Sequence, residues 1–398
     1  MTVAASLRSA AAIRAVAAGT LAFAVLGVPD GGTGVAWPFM RADLHQPLDA
    51  LGLTTVALTA GAVGVSALSG RLTRRLGVVS LLVLASVISG VALAGVAASP
   101  VWAVVVVCFL LLGCGGGLID AVVQAHVVSR HGLRSMSALH AGYGAGVTLG
   151  PLLVTALLTA GAGWRAGYAC MAALYVAVIA ACVLTRDAWQ PVSDGDGDRL
   201  RRAAAGSDAA SREVRPPSVG LSLLLFFLVT GMELSAMLWS FTFLTGARGI
   251  ATTAAGVAVG GFFGVQTLTR IGLATLGHRV TAAAVLRACC VAIGAGAALM
   301  LLLPGASSIA GLMVAGSGLG GVYPSLMVAS SGSLGTRRAQ SVVGYQVAAA
   351  NLGAAAGSGL TGVVLARAGV GAFPVVLLAV VAAVAVLVMA LPRRASVH

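Results

Sequence analysis

Long apolar stretches follow one another along this chain at residues 13–40, 50–70, 77–98, 101–127, 135–160 and 164–185. A second set falls at 217–245, 252–276, 280–303, 306–330, 340–365 and 370–391. A helix needs about 20 predominantly apolar residues to cross the hydrocarbon core of a bilayer, and each stretch meets that length. Only 9% of the residues are charged and 59% are hydrophobic, with a mean hydropathy of +1.02. Soluble domains carry about 25% charged residues, so this chain lacks the polar surface to solvate a globule and must take lipid as its solvent. The expected fold is an all-α polytopic membrane protein with twelve transmembrane helices.

The two sets divide the chain into an N-terminal six-helix half (1–185), a polar linker (186–216) and a C-terminal six-helix half (217–398). The linker holds six acids and six arginines and few apolar residues, the composition of a solvated segment. The net charge of +13 would suggest nucleic acid in a soluble protein; here loop arginines that orient the spans explain it, and no nucleic-acid partner is expected. Every basic residue is Arg. With the N-terminus inside, 18 arginines fall in cytoplasmic segments, 4 in outside loops (Arg41, Arg165, Arg248 and Arg367), and Arg270 and Arg287 in spans. The bias places both termini and the linker in the cytoplasm and the protein in the cytoplasmic membrane. Arg8 and Arg14 before an apolar run imitate a signal peptide, but the run continues to Phe39 and reads as a retained first helix.

An internal repeat relates the halves. A shift of 203 residues lays Gly113, Gly115 and Gly117 on Gly316, Gly318 and Gly320, Leu149-Gly150 on Leu352-Gly353, and Asp30 on Glu233. Two pseudo-symmetric six-helix bundles, related by an axis along the membrane normal, are the layout of major facilitator transporters.

Motifs of soluble chemistry fail on context. Gly316 to Gly321 matches GxGxxG inside an apolar helix, with no strand before it, and reads as close helix packing. Asp194, Asp196 and Asp198 imitate a calcium loop, yet Arg199 stands where glycine is needed. The six cysteines lack metal-ligand spacing. No enzyme, metal or cofactor is expected.

Asp30, Asp120 and Glu233 are the three carboxylates inside spans. Each costs about 2.5–3.5 kcal/mol to insert at a span centre, and such residues face the bundle interior and serve transport. Helical spacing puts Gly27, Asp30, Gly34 and Trp37 on one face of the first span. It does the same for Gly113, Gly117, Asp120 and Gln124 in the fourth, Glu233, Met237 and Ser240 in the seventh, and Gly316, Gly320 and Tyr323 in the tenth. Tyr323 is the repeat mate of Asp120. His140 and Tyr143 in the fifth span and Gln346 and Asn351 in the eleventh are candidates to complete a polar cavity, each with an interhelical hydrogen bond as its structural alternative. Trp37 and Trp239 either stack on a sugar ring or pack. Arg270 and Arg287, within two turns of cytoplasmic ends, read as snorkelling.

The stretches VPDGGTGVAWP (28–38), GLIDAVVQAH (117–126), LHAGYGAGVTLGP (139–151), GMELSAMLWS (231–240) and QVAAANLG (346–353) resemble the fucose-permease-like branch of the major facilitator superfamily. That branch contains proton symporters of fucose, galactose and glucose. The resemblance implies a monomeric secondary transporter whose partners are a small polar solute, protons and the bilayer. It implies proton coupling at Asp30 and Asp120; the intramembrane polar set itself supplies Trp37, Gln124, His140, Tyr143, Glu233, Trp239, Tyr323, Gln346 and Asn351 as substrate-binding candidates. The chain departs from the pattern at Gln124, where Asn is common, and at Gly70 to Gly77, where Arg74 replaces the Asp of GxxxDRxG. A proton-antiport exporter of a drug or secondary metabolite and a non-transporting sensor are the alternative functions.

Overall fold

The computed structural model describes residues 3–130, 132–189, 219–276, 280–331 and 336–389. The linker beyond residue 189, with its Asp194, Asp196 and Asp198, lies outside the described residues, as does the C-terminus from residue 390.

The first half is built from α1 (Val3–Asp43), α2 (Leu51–Ser66), α3 (Ser69–Leu76), α4 (Val78–Ala98), α5 (Trp102–Arg130), α6 (Gly132–Thr159) and α7 (Gly163–Leu184). The second contains α8 (Val219–Gly246), α9 (Thr252–Leu276), α10 (Ala282–Leu302), α11 (Ser308–Ser331), α12 (Thr336–Ala368) and α13 (Phe373–Met389). The chain falls into two compact units, Met1–Gln46 with Leu53–Arg202, and Pro47–Gly52 with Ala203–His398.

Among the described residues, 11 helices are long and apolar enough to cross a membrane. The remaining long helix, α9, has 25 residues. It carries Gln266, Arg270 and several threonines among its apolar residues. The short α3 is the polar exception: Arg71, Arg74 and Arg75 are exposed and no residue of it is buried. Gly77 ends it at φ 79°, a left-handed conformation that suits glycine and starts α4 at a new angle.

The two units share one packing scheme. In the first, α1 lies along α6, and α4 packs between α5 and α7; in the second, α8 lies along α12, and α10 packs between α11 and α13. Glycine makes these approaches possible, since lipid supplies no hydrophobic drive between helices and close van der Waals contact must. A Cβ on Gly113 would overlap the Leu58 carbonyl of α2, and one on Gly117 would sit 2.9 Å from Ala62. Their repeat mates Gly316 and Gly320 meet Phe262 and Gln266 of α9 in the same way. Gly115 faces Ala85 and Ser89 of α4, as Gly318 faces Cys289 and Ile293 of α10. The GxGxxG run is therefore a helix-packing surface.

The repeat is offset by one more residue at α2 and α9 and at α4 and α10, and by a full turn at α6 and α12. Gly146 closes on Ala24 of α1 and Gly150 on Val28, whereas Gly353 closes on Phe227 of α8 and Gly357 on Gly231. With Asp30 laid on Glu233, Ala24 falls on Phe227 and Val28 on Gly231. Gly146 then corresponds to Gly353, a shift of 207 and not 203. Leu149-Gly150 and Leu352-Gly353 are matched residues in the sequence but lie one helical turn apart in the packing.

Candidate functional site

In the first unit, Asp30 sits on α1 directly after Pro29, whose ring removes a backbone N–H and loosens the turn that carries the acid. The Tyr143 hydroxyl of α6 donates to Asp30 Oδ2 at 2.8 Å. On α5, Gln124 Nε2 donates to Asp120 Oδ1 at 2.6 Å across one helical turn. His140, three residues before Tyr143 on α6, lies within electrostatic range of Asp120 and meets the Phe23 ring edge-on at 6.0 Å. One turn of α6 thus addresses both aspartates. The structure brings together Asp30, Asp120, Gln124, His140 and Tyr143.

In the second unit, Glu233 of α8 forms an ion pair with Arg270 of α9, Nη2 to Oε1 at 2.7 Å. Arg270 Nε also donates to the Gly320 carbonyl of α11 at 3.3 Å. The expectation that Arg270 snorkels is corrected here: its guanidinium turns inward, because Glu233 offers a counter-charge on the neighbouring helix. Arg287, by contrast, is exposed. Tyr323 lies within electrostatic range of Glu233, and its ring meets Phe226 edge-on at 5.4 Å.

Several candidates stand apart from both clusters. Trp37 is fully buried, its ring 5.6 Å from that of Trp102. Trp239 is fully buried too, and its Nε1 donates to the Ser358 carbonyl at 3.0 Å. Neither indole presents a face to a solute in this structure; both close helix contacts. Gln346 donates to Ser222 Oγ at 2.6 Å, an α12–α8 bond three turns along α8 from Glu233. Asn351 is half-buried on α12.

Two residues of the second cluster escaped sequence reasoning. Arg270 was legible in part, as one of two arginines inside spans in a chain whose buried acids need partners. Gln266, one turn before Arg270, is 5% exposed and its Nε2 has no hydrogen-bond partner among the described residues. The signal for it was its place four residues from an intramembrane Arg.

Residues 19–358 match the family model of the Major Facilitator Superfamily. No curated protein matches the sequence. Two crystal structures of the nucleoside transporter NupG are similar in fold. One, of a mutant, gives a TM-score of 0.72 at 16% identity, covering 95% of this chain and 98% of that one. The other gives 0.69 at 14% identity, covering 96% and 98%.

Proposed function

The chain belongs to the major facilitator superfamily of membrane transporters, and from that premise we propose that it moves a small polar, sugar-like solute across the cytoplasmic membrane by alternating access, coupled to protons at Asp30 and Asp120. It works as a monomer, with both termini in the cytoplasm.

The partners of the three acids carry this reading. Asp30 receives a phenol and Asp120 an amide, both neutral donors. Asp30 can gain or lose a proton without stranding a cation beside it, and the ionisable neighbour of Asp120 is the His140 imidazole, a group that can itself release a proton near neutral pH. Glu233 cannot, since its protonation would leave the Arg270 guanidinium without its counter-charge. The proton role therefore goes to the first unit, and Glu233 to the solute. If protonation and solute binding favour the same conformational states, the two are linked. The hydroxyl-rich solute class follows the resemblance in 28–38 and 117–126. A nucleoside, the cargo in NupG's name, is a ribose bearing a base and belongs in the same screen.

A solute screen on the purified protein in liposomes tests this, with and without an imposed pH gradient. Uptake of a sugar or nucleoside that the gradient accelerates is the expected result. Movement of bulky apolar drugs alone would make the protein an exporter of that class, and sugar uptake indifferent to the gradient would remove the proton role.

A further inference from the structure

Gln266 and Arg270 lie four residues apart on one face of α9, turned toward α11. The approach is close there: a Cβ on Gly320 would lie 2.6 Å from the Gln266 carbonyl, and the Gly320 carbonyl accepts from Arg270 Nε. Burial of an unpaired donor such as Gln266 Nε2 is costly unless something else pairs it. Arg270 and Glu233 are not sealed in, with 36% and 20% of their side chains accessible. A guanidinium has five N–H donors, and the two bonds described for Arg270 use only part of that set.

The charges at this place cancel. Glu233 is the only acid in residues 219–389, and it is spent on Arg270. The other arginines whose side chains are described in this unit are engaged or placed elsewhere. Arg248 caps the end of α10 through the carbonyls of Met300 and Leu301, Arg287 is exposed, and Arg367 sits in the last turn of α12. Within this unit an ionised solute would meet no free counter-charge. A neutral hydroxyl can donate to the carboxylate and accept from the guanidinium or the amide, using what the pair leaves open.

We infer that Glu233, Arg270 and Gln266 form a charge-balanced recognition site that admits a neutral hydroxyl-bearing group and rejects ionised analogues of it. The site rests on the transport reading above and specifies the chemistry of its solute. In the packing of the first half Ala62 holds the place of Gln266 and Ser66 that of Arg270, neither of them an amide or a charge. The charge-balanced pair is thus a feature of the second unit.

The test measures ligand-induced thermal stabilisation of the purified full-length protein, with no pH gradient, using galactose, galacturonate, galactosamine and uridine as probes. Galactose or uridine should bind, and the two ionised sugars should bind about tenfold more weakly or worse. Glu233→Gln leaves Arg270 unbalanced and should move the preference to galacturonate; Arg270→Gln should move it to galactosamine. Gln266→Leu removes only an unpaired donor, so the melting temperature without ligand should hold or rise while affinity for the neutral probe falls about tenfold. Equal binding of neutral and ionised sugars by the wild type would overturn the site, as would no binding of any probe. An unchanged affinity in Gln266→Leu would make that amide a structural orphan and remove it from the site. Failure of the proton role leaves these binding results intact and appears only as gradient-independent uptake.

Discussion

Asp30 and Asp120 differ from Glu233 in their hydrogen-bond donors: a phenol and an amide serve the aspartates, with His140 in electrostatic range of Asp120, while a guanidinium serves Glu233. Asp→Asn at either position mimics the protonated acid and keeps an oxygen for the Tyr143 hydroxyl or the Gln124 amide. Substrate counterflow in proteoliposomes is expected to survive at least in part, while accumulation driven by a pH gradient is lost. Normal gradient-driven accumulation in both variants would sink the assignment; loss of counterflow as well would point to binding or folding. At this scale the acids themselves were plain in the sequence, because a carboxylate in a span is expensive and rare. Their partners were not. Tyr143 and Gln346 read alike as polar residues in the fifth and eleventh spans, yet one reaches a carboxylate and the other a serine.

Between helices, backbone contact at glycine sets the geometry, and its effect can be read in opposite directions at two sites. A Cβ at Gly146 would overlap the Ala24 carbonyl of α1, so Gly146→Val should force α1 from α6 and abolish recovery of folded protein. Gly64, inside α2, has nothing within 4 Å of its would-be Cβ. There Gly→Ala only restricts the unfolded chain and favours the helix, and stability should rise by about 0.5–1 kcal/mol, read as a higher melting temperature in detergent. The last carbonyls of α4 and α10 show the repeat solved twice by different means. Arg165 of α7, paired with Asp43 at 2.9 Å, donates to the carbonyls of Ala97 and Ser99. Arg248, just beyond α8, donates to the carbonyls of Met300 and Leu301, and Leu301 matches Ala97 by the offset that lays Ala85 on Cys289. A cation at a helix C-terminus satisfies open carbonyls and complements the helix dipole. Arg165→Gln or Arg248→Gln should each cost about 1 kcal/mol, discounted for partial exposure, and lower the melting temperature without altering solute preference. A change in preference would show that these caps reach the solute site.

Across the whole molecule, the arginine distribution predicts sidedness. Single cysteines at His45, Gln190 and Ala395, in a background with the six native cysteines replaced, should label from outside only at position 45 in intact cells. Labelling of position 190 from outside would refute the topology. The linker's balanced charge gives it nothing to bury, so removing a few of its residues should leave transport near normal. Lost activity with normal membrane insertion would reveal a docking role for it.

Sequence alone determined the solvent, the number of long helices, the two-half plan and the identity of the acids within spans, because span length, hydropathy and the cost of charge in lipid are local properties of the chain. Only the tertiary structure decided what depends on how helices meet. It paired Glu233 with Arg270 where the position near a helix end suggested snorkelling, and it moved Gly353 one turn out of its apparent register. It also withdrew Trp37 and Trp239 into helix contacts. A side chain on a helix can turn to lipid, to a neighbour or to a solute with the same residues around it in the chain. Which of these it does is set by the face that the neighbouring helix presents.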